Sequence, residues 1–343
     1  MVPEETGQIE QTERGERGEQ RERGEWAVLS GRRFYGVSMI DEHSPLARII
    51  ERVPPPAEAV NGRGDWADAE RALGTRLPDD YKRLVETYGR GDFWGALCLC
   101  TPFGDDNPVR LEADLVEDFG PLRESWPEEY PYPFFPEPGG LLTWAITDDS
   151  AQLCWLTEGP PESWPVVIWS RDSDYERFDC GAAAFLDGWI SGRLSSELLH
   201  HEREAAPWFD AAIERDHVYV RLEEPEEPAE GEGRLLPYAE RLRILRDALA
   251  PTADRGGYEY DGRRQDHFVV TDTGWQLTYE TAYGHQLRVA FPPADSEAAR
   301  RAVLAAVDRM GCAVRSFGTV HGTSFWGSSP GPSADPSPGP SAA

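Results

Sequence analysis

The stretch LPDDYKRLVETYG, Leu77 to Gly89, leaves its backbone little choice. Tyr81, Leu84, Val85 and Tyr88 fall on one helical face. Pro78 fits the first turn, Asp79 and Asp80 complement the positive end of the helix dipole, and Gly89 closes the element. Two shorter helices are predicted upstream. Leu46, Ile49, Ile50 and Val53 keep the spacing until three prolines stop it, and Trp66, Ala69 and Leu73 follow Asp65 as far as Gly74. Downstream the period falls to two or to short apolar runs. Ala96–Cys100, Leu141–Ile146, Leu153–Leu156 and Val166–Trp169 read as strands between proline-rich loops. A closing helix is expected over Ala182–Leu199, through Phe185, Leu186, Trp189, Ile190, Leu194 and Leu198. Helices flanking a meandering sheet predict an α+β class, with helices packed on a mainly antiparallel sheet.

Composition divides the rest of the chain. Residues 1–38 open with eight glutamates and four arginines in the first 25 positions and too little apolar surface to offset ordering entropy, so they are expected to be a disordered arm. The first well-patterned segment follows an internal Met39, an expected alternative start of translation. The folded unit is expected over 39–222. An acidic, Pro/Gly-rich linker follows at 223–233, then a second small α+β domain at 234–326 and a Pro/Ser/Gly tail at 327–343. In the second unit Tyr238, Leu242, Leu245 and Leu249 mark a first helix. Trp275, Leu277, Tyr279 and Leu287, Val289, Phe291 alternate as half-buried strands. Asp295 or Ser296 caps a last helix through Ala299, Val303 and Val307 that Gly311 stops. The reading there is helix, three strands, helix, strand.

Charge excludes several classes of activity. With 62 Asp+Glu against 34 Lys+Arg the formal net charge is −28, and nucleic acid and anionic lipid both reward the opposite sign. Residues 58–204 alone hold 30 acidic and 12 basic side chains, so a basic protein is the expected partner, attracted by long-range steering. Lys82 is the only lysine and lies in a helix accounted for by packing, which leaves no candidate for a Schiff base or a phosphate-loop lysine. Cys98, Cys100, Cys154, Cys180 and Cys312 are odd in number and scattered, as suits reduced thiols. No apolar run of about 18 residues predicts a membrane helix, no signal-like stretch follows Met1, and a cytoplasmic location is expected.

Several segments, in order, are similar to the SUKH superfamily, the Smi/Knr type of domain. They are GDWADAERALGTRLPDDYKRLVETYGRGDF, the strand Ala96–Cys100 with Pro102, FFPEPGGLLTWAITDD, the pair around Cys154-Trp155 and Trp164-Pro165-Val166-Val167, and FLDGWISG. Together they span about residues 46–194, with Tyr88 and Ala145 where relatives carry Asn and Gly. The resemblance implies binding rather than catalysis. Bacterial members are immunity proteins that neutralise a cognate polymorphic toxin, while fungal relatives are regulatory scaffolds.

Site expectations follow from residue type and place. Asp105, Asp106, Asp148 and Asp149 fall in loops after strands. Trp94, Trp126, Glu128, Glu129, Tyr130 and Tyr132 sit in loops crowded with Gly, Pro and acids, and aromatic side chains there suit interface anchors. Of these, Trp94, Asp105, Asp106, Trp126, Glu128, Glu129, Tyr130, Asp148 and Asp149 form the expected partner-binding set. Cys98 and Cys100 lack the second ligand pair of a zinc site. His200 and His201 suit a helix C-terminus, and the other histidines are isolated. No cofactor, metal or catalytic residue is predicted. An enzyme using one acidic pair and a regulatory scaffold stand as alternatives to toxin neutralisation.

Overall fold

A computed structural model describes residues 32–35, 38–41, 43–104, 108–170, 172–199, 206–223, 236–319 and 326. The described residues up to Ser44 form one compact unit and those from Pro45 onward another. The described part of the first is a hairpin: β1 (Arg32–Tyr35) pairs antiparallel with β2 (Ser38–Asp41), Phe34 opposite Met39. Strand pairing therefore reaches into the arm expected to be disordered. Met39 sits inside the second strand.

From Pro45 the chain forms α1 (Pro45–Arg52), α2 (Trp66–Leu73), α3 (Asp79–Tyr88), β3 (Gly91–Phe93), β4 (Leu97–Leu99) and α4 (Pro108–Ser125). Next come β5 (Leu141–Thr147), β6 (Gln152–Leu156), β7 (Val166–Trp169), β8 (Tyr175–Phe178), α5 (Ala182–Ser191) and β9 (Phe209–Ala211). The strands make one antiparallel sheet in the order β8-β7-β6-β5-β4-β3-β9.

Local chemistry explains the helix ends. The Asp65 carboxylate accepts from the backbone N–H groups of Ala67 (2.9 Å) and Asp68 (3.2 Å), and Gly74 closes α2 at φ +74°. Gly89, at φ +67°, lies so close to the preceding loop that a Cβ there would come within 2.3 Å of the Val60 carbonyl oxygen. Only glycine allows that approach, and it lets Arg90 donate to Val60 at 2.6 Å.

Both faces of this sheet are covered. On one, Trp155 meets Tyr81 of α3 and Trp144 meets Phe185 of α5. On the other, Leu115 and Phe119 of α4 pack with Phe134, Leu156, Val167 and Trp169. Burial on two sides is why β6 and β7 read as unbroken apolar runs rather than as alternation. The 18-residue α4 was not anticipated, because Pro121 and a run of acids mask its stripe. The closing helix is shorter than expected: Gly192, at φ +74°, ends it after Ser191.

The second sheet has the order β11-β12-β13-β14-β10-β15. It is built from β10 (Asp216–Leu222), α6 (Tyr238–Leu249), β11 (Thr252–Tyr260), β12 (Arg263–Val270), β13 (Trp275–Glu280), β14 (Gln286–Phe291), α7 (Ser296–Arg309) and β15 (Val314–Thr319). Four strands, not three, separate the two helices. The strand 216–222, placed by composition at the end of the first domain, pairs here with β14 and β15. One face packs on α6 and α7 through Val218, Leu245, Phe268, Leu277, Val289 and Val303. The two sheets meet at Asp210, which accepts from Arg255 (3.2 Å) and from Gln276 Nε2 (3.1 Å), while Arg255 lies over Trp208 at 4.7 Å.

Candidate partner-binding surface

Two parts of the expected set stand free of the core. The β5–β6 turn is braced from within. Ala151 N–H donates to Thr147 Oγ1 (2.8 Å), Ser150 N–H donates to the Thr147 carbonyl (3.0 Å), the Thr147 hydroxyl donates to Asp149, and Asp148 N–H donates to Ala96 (3.1 Å). Asp148 and Asp149 are therefore exposed carboxylates on a fixed turn. The recess beside them, walled by Ala96, Trp189 and Leu199, holds about 10 Å³, too little for a small-molecule ligand. This turn can present charge but cannot enclose a substrate.

The second part follows α4. Trp126 N–H donates to Leu122 (2.8 Å) and Tyr130 N–H to Trp126 (3.3 Å), so the chain curls once beyond the helix. Tyr130 is buried and its ring lies 6.2 Å from Phe119, which anchors the curl and leaves Trp126 (53% exposed), Glu128 and Glu129 in solvent. An exposed tryptophan beside two carboxylates suits the apolar and charged components of a protein contact.

The remaining expectations fare differently. Trp94 is not an exposed anchor. At φ +62° it turns inward, its N–H donates to the Trp208 carbonyl (3.0 Å), and its ring meets Trp189 edge-on at 5.7 Å. Tyr130 is likewise an internal anchor, as just described. Asp105 and Asp106 lie outside the described residues, as do His200 and His201. All five cysteines are free thiols; burial, then the neighbouring Asp92, pushes the Cys98 thiol up to about 11. Among the described residues no group of three His, Cys, Asp or Glu is placed to hold a metal ion, and no helix is long and apolar enough to cross a membrane.

Sequence reading missed the interior bonds of two carboxylates that shape this domain, half-buried Asp80 and buried Asp187. Asp80 Oδ2 accepts from Ala183 N–H (3.0 Å) at the start of α5, and Oδ1 accepts from Tyr81 N–H (2.7 Å). Burial raises its pKa from the ordinary aspartate value, these two bonds pull it down, and Glu162 and Asp79 add to the rise. The folded state thus holds the proton more tightly than the unfolded chain, and the contribution of Asp80 to stability declines as pH climbs from about 3.9 through its folded pKa. Asp80→Asn abolishes that term. Measured by urea unfolding, the variant is expected to gain on the parent protein between pH 4 and 7; a gap that stays constant or widens against it would contradict the assignment. The other carboxylate, Asp187, gathers Arg48, Arg52 and Arg193 around a 1%-exposed side chain.

Residues 63–186 match a protein-family model described as SUKH_6, SMI1-KNR4 cell-wall. This part of the chain is a SUKH-superfamily domain, a class of generally immunity-type domains that bind partner proteins. No curated protein and no solved structure matches the chain. The match covers α2 to the middle of α5, and with it both exposed acidic patches.

Proposed function

We propose that this is an immunity-type protein whose SUKH domain binds a cognate polymorphic toxin in the cytoplasm and masks its active site. The observation that carries the reading is the family match over residues 63–186. The two exposed patches support it: Asp148 and Asp149 on a braced turn, and Trp126 with Glu128 and Glu129 beyond α4. A toxin that cuts nucleic acid needs a basic cleft, and a rigid acidic surface can occupy such a cleft while raising the encounter rate. Inhibition is then steric and electrostatic, and the protein makes or breaks no bonds of its own.

Co-expression with toxin genes from the same neighbourhood tests this. One of them is expected to be neutralised and to co-purify. Asp148→Lys with Asp149→Lys, or Trp126→Ala with Glu128→Lys, should weaken that complex about tenfold, roughly 1.4 kcal/mol, mainly through the association rate for the charge reversals. No protection against any neighbouring toxin would refute the reading. The words cell-wall in the family description favour a second reading, a regulatory scaffold. Specific co-purification of housekeeping enzymes, at unchanged sensitivity to every neighbouring toxin, would select it.

A further inference from the structure

Strand β11 is one edge of the second sheet, and three features converge on it. The first is its rim, where no described residue pairs. Across the Asp261-Gly262 turn Tyr260 faces Arg263, so Glu259 faces Arg264. Arg264 spends its own N–H and C=O on Thr281 (3.1 and 2.8 Å), on the side of β13. By antiparallel alternation the backbone N–H and C=O of Glu259 point outward, as do those of Gly257. The rim thus offers donors and acceptors to an added strand.

The second feature lies on the helix side. A cleft of about 600 Å³ runs between α6 and the β11–β12 edge, and its walls include Tyr238, Arg243, Arg246 and Arg264 together with Asp247 and Asp266. In a chain of net charge −28, three guanidinium groups around one cleft, set against the carboxylates of Asp247 and of Asp266, which accepts from the Tyr238 hydroxyl (2.7 Å), stand apart. They pair with Asp247 (2.8 Å), Asp254 (3.3 Å) and Glu259 (2.8 Å), all solvent-exposed acids that a competing carboxylate can replace at small cost. The third feature lies on the opposite face, where Tyr258, Tyr260 and Tyr283 are 44%, 78% and 72% exposed, three of the six large exposed hydrophobic residues among the described residues.

We propose that the β11 edge takes up an extended segment of a partner protein as an added strand with acidic residues at alternate positions. The acidic side chains enter the cleft toward Arg243, Arg246 and Arg264. Intervening apolar side chains lie against Tyr258 and Tyr260, and main-chain bonds at Gly257 and Glu259 fix the register. This contact is chemically opposite to the acidic patches of the SUKH domain and does not depend on their role.

The full-length protein can be tested with a fluorescent, end-blocked octapeptide of alternating valine and glutamate. Saturable binding is expected, with at least tenfold slower amide exchange at Gly257 and Glu259. A valine–lysine peptide, and a valine–glutamate peptide with a central proline, should bind at least tenfold more weakly. Arg243→Glu with Arg246→Glu should produce the same loss for the parent peptide. Tyr260→Ala, at the most exposed of the tyrosines, provides a second variant should the double change impair folding, and it too should weaken binding. No binding, equal binding of the lysine peptide, or affinity untouched by these variants overturns the proposal. So does a concentration-dependent dimer that already protects the β11 amides, since the occupant would then be a second copy of the chain.

Discussion

Trp155→Ala is expected to remove about 4 kcal/mol of stability, within the range for truncating a fully buried large aromatic. Trp155 lies in β6 with no exposed surface. Its ring meets Tyr81 edge-on at 4.8 Å, stacks near Trp144 at 6.1 Å and touches Trp164 at 6.1 Å. One substitution therefore unseats α3 from the sheet and leaves a cavity among three aromatic residues that cannot all collapse into it. The indole N–H has no hydrogen-bond partner, so its removal leaves no new unsatisfied polar group to add to the cost. Against a total of about 5–15 kcal/mol such a loss is a large fraction. Urea unfolding followed by far-ultraviolet circular dichroism measures it, and Trp155→Phe should recover most of it. A loss under about 1 kcal/mol would mean that the α3–sheet contact is not the centre of this core. Because β6 is one arm of the hairpin that presents Asp148 and Asp149, the same change should weaken partner binding even though the ring is inaccessible.

The core was readable because its signals are local. Helix α3 carries its stripe, its acidic first turn and its terminal glycine within thirteen residues, and the apolar runs of β6 and β7 announce burial on two faces. What was missed depends on distant partners. β9 is three residues long and has identity as a strand only through its pairing with β3, more than a hundred positions earlier. α4 does carry Leu115, Phe119 and Leu122 at helical spacing, but Pro121 and Gly120 interrupt the pattern just where it should be strongest. The candidate surface divides the same way. Exposure of Trp126 and of the Asp148 turn follows from loop composition, whereas the inward turn of Trp94 rests on a positive φ and on Trp189, neither visible in a Gly-flanked loop. Asp187 did leave a trace, a lone acid in the apolar run FLDGWIS, with Arg48 and Arg52 four residues apart on α1.

That trace leads to the second large effect: Asp187→Ala is expected to cost about 3 kcal/mol. Asp187 Oδ2 accepts from Arg48 Nε at 2.8 Å and lies 2.7 Å from its terminal nitrogen; Arg193 reaches the same oxygen, and Arg52 lies 3.5 Å from Oδ1. The carboxylate is 1% exposed while the arginines are 36%, 37% and 52% exposed, so the acid carries the desolvation and the arginines stay partly hydrated. Removing the acid deletes several charge-assisted bonds and leaves three like charges converging on α5. Removing one arginine leaves two to hold the acid, so Arg193→Ala should cost only about 1 kcal/mol. Asp187→Asn separates charge from shape: it keeps the volume, and it should be nearly as damaging as alanine if charge dominates. Arg48 and Arg52 lie before the family-matched stretch and Asp187 just after it, so this knot fastens α1 onto the SUKH domain and makes residues from Pro45 part of the same folding unit. Deleting residues 45–52 should therefore destabilise the domain at least as much as Asp187→Ala does. A truncated protein as stable as the full chain in urea would show that the knot is ornamental.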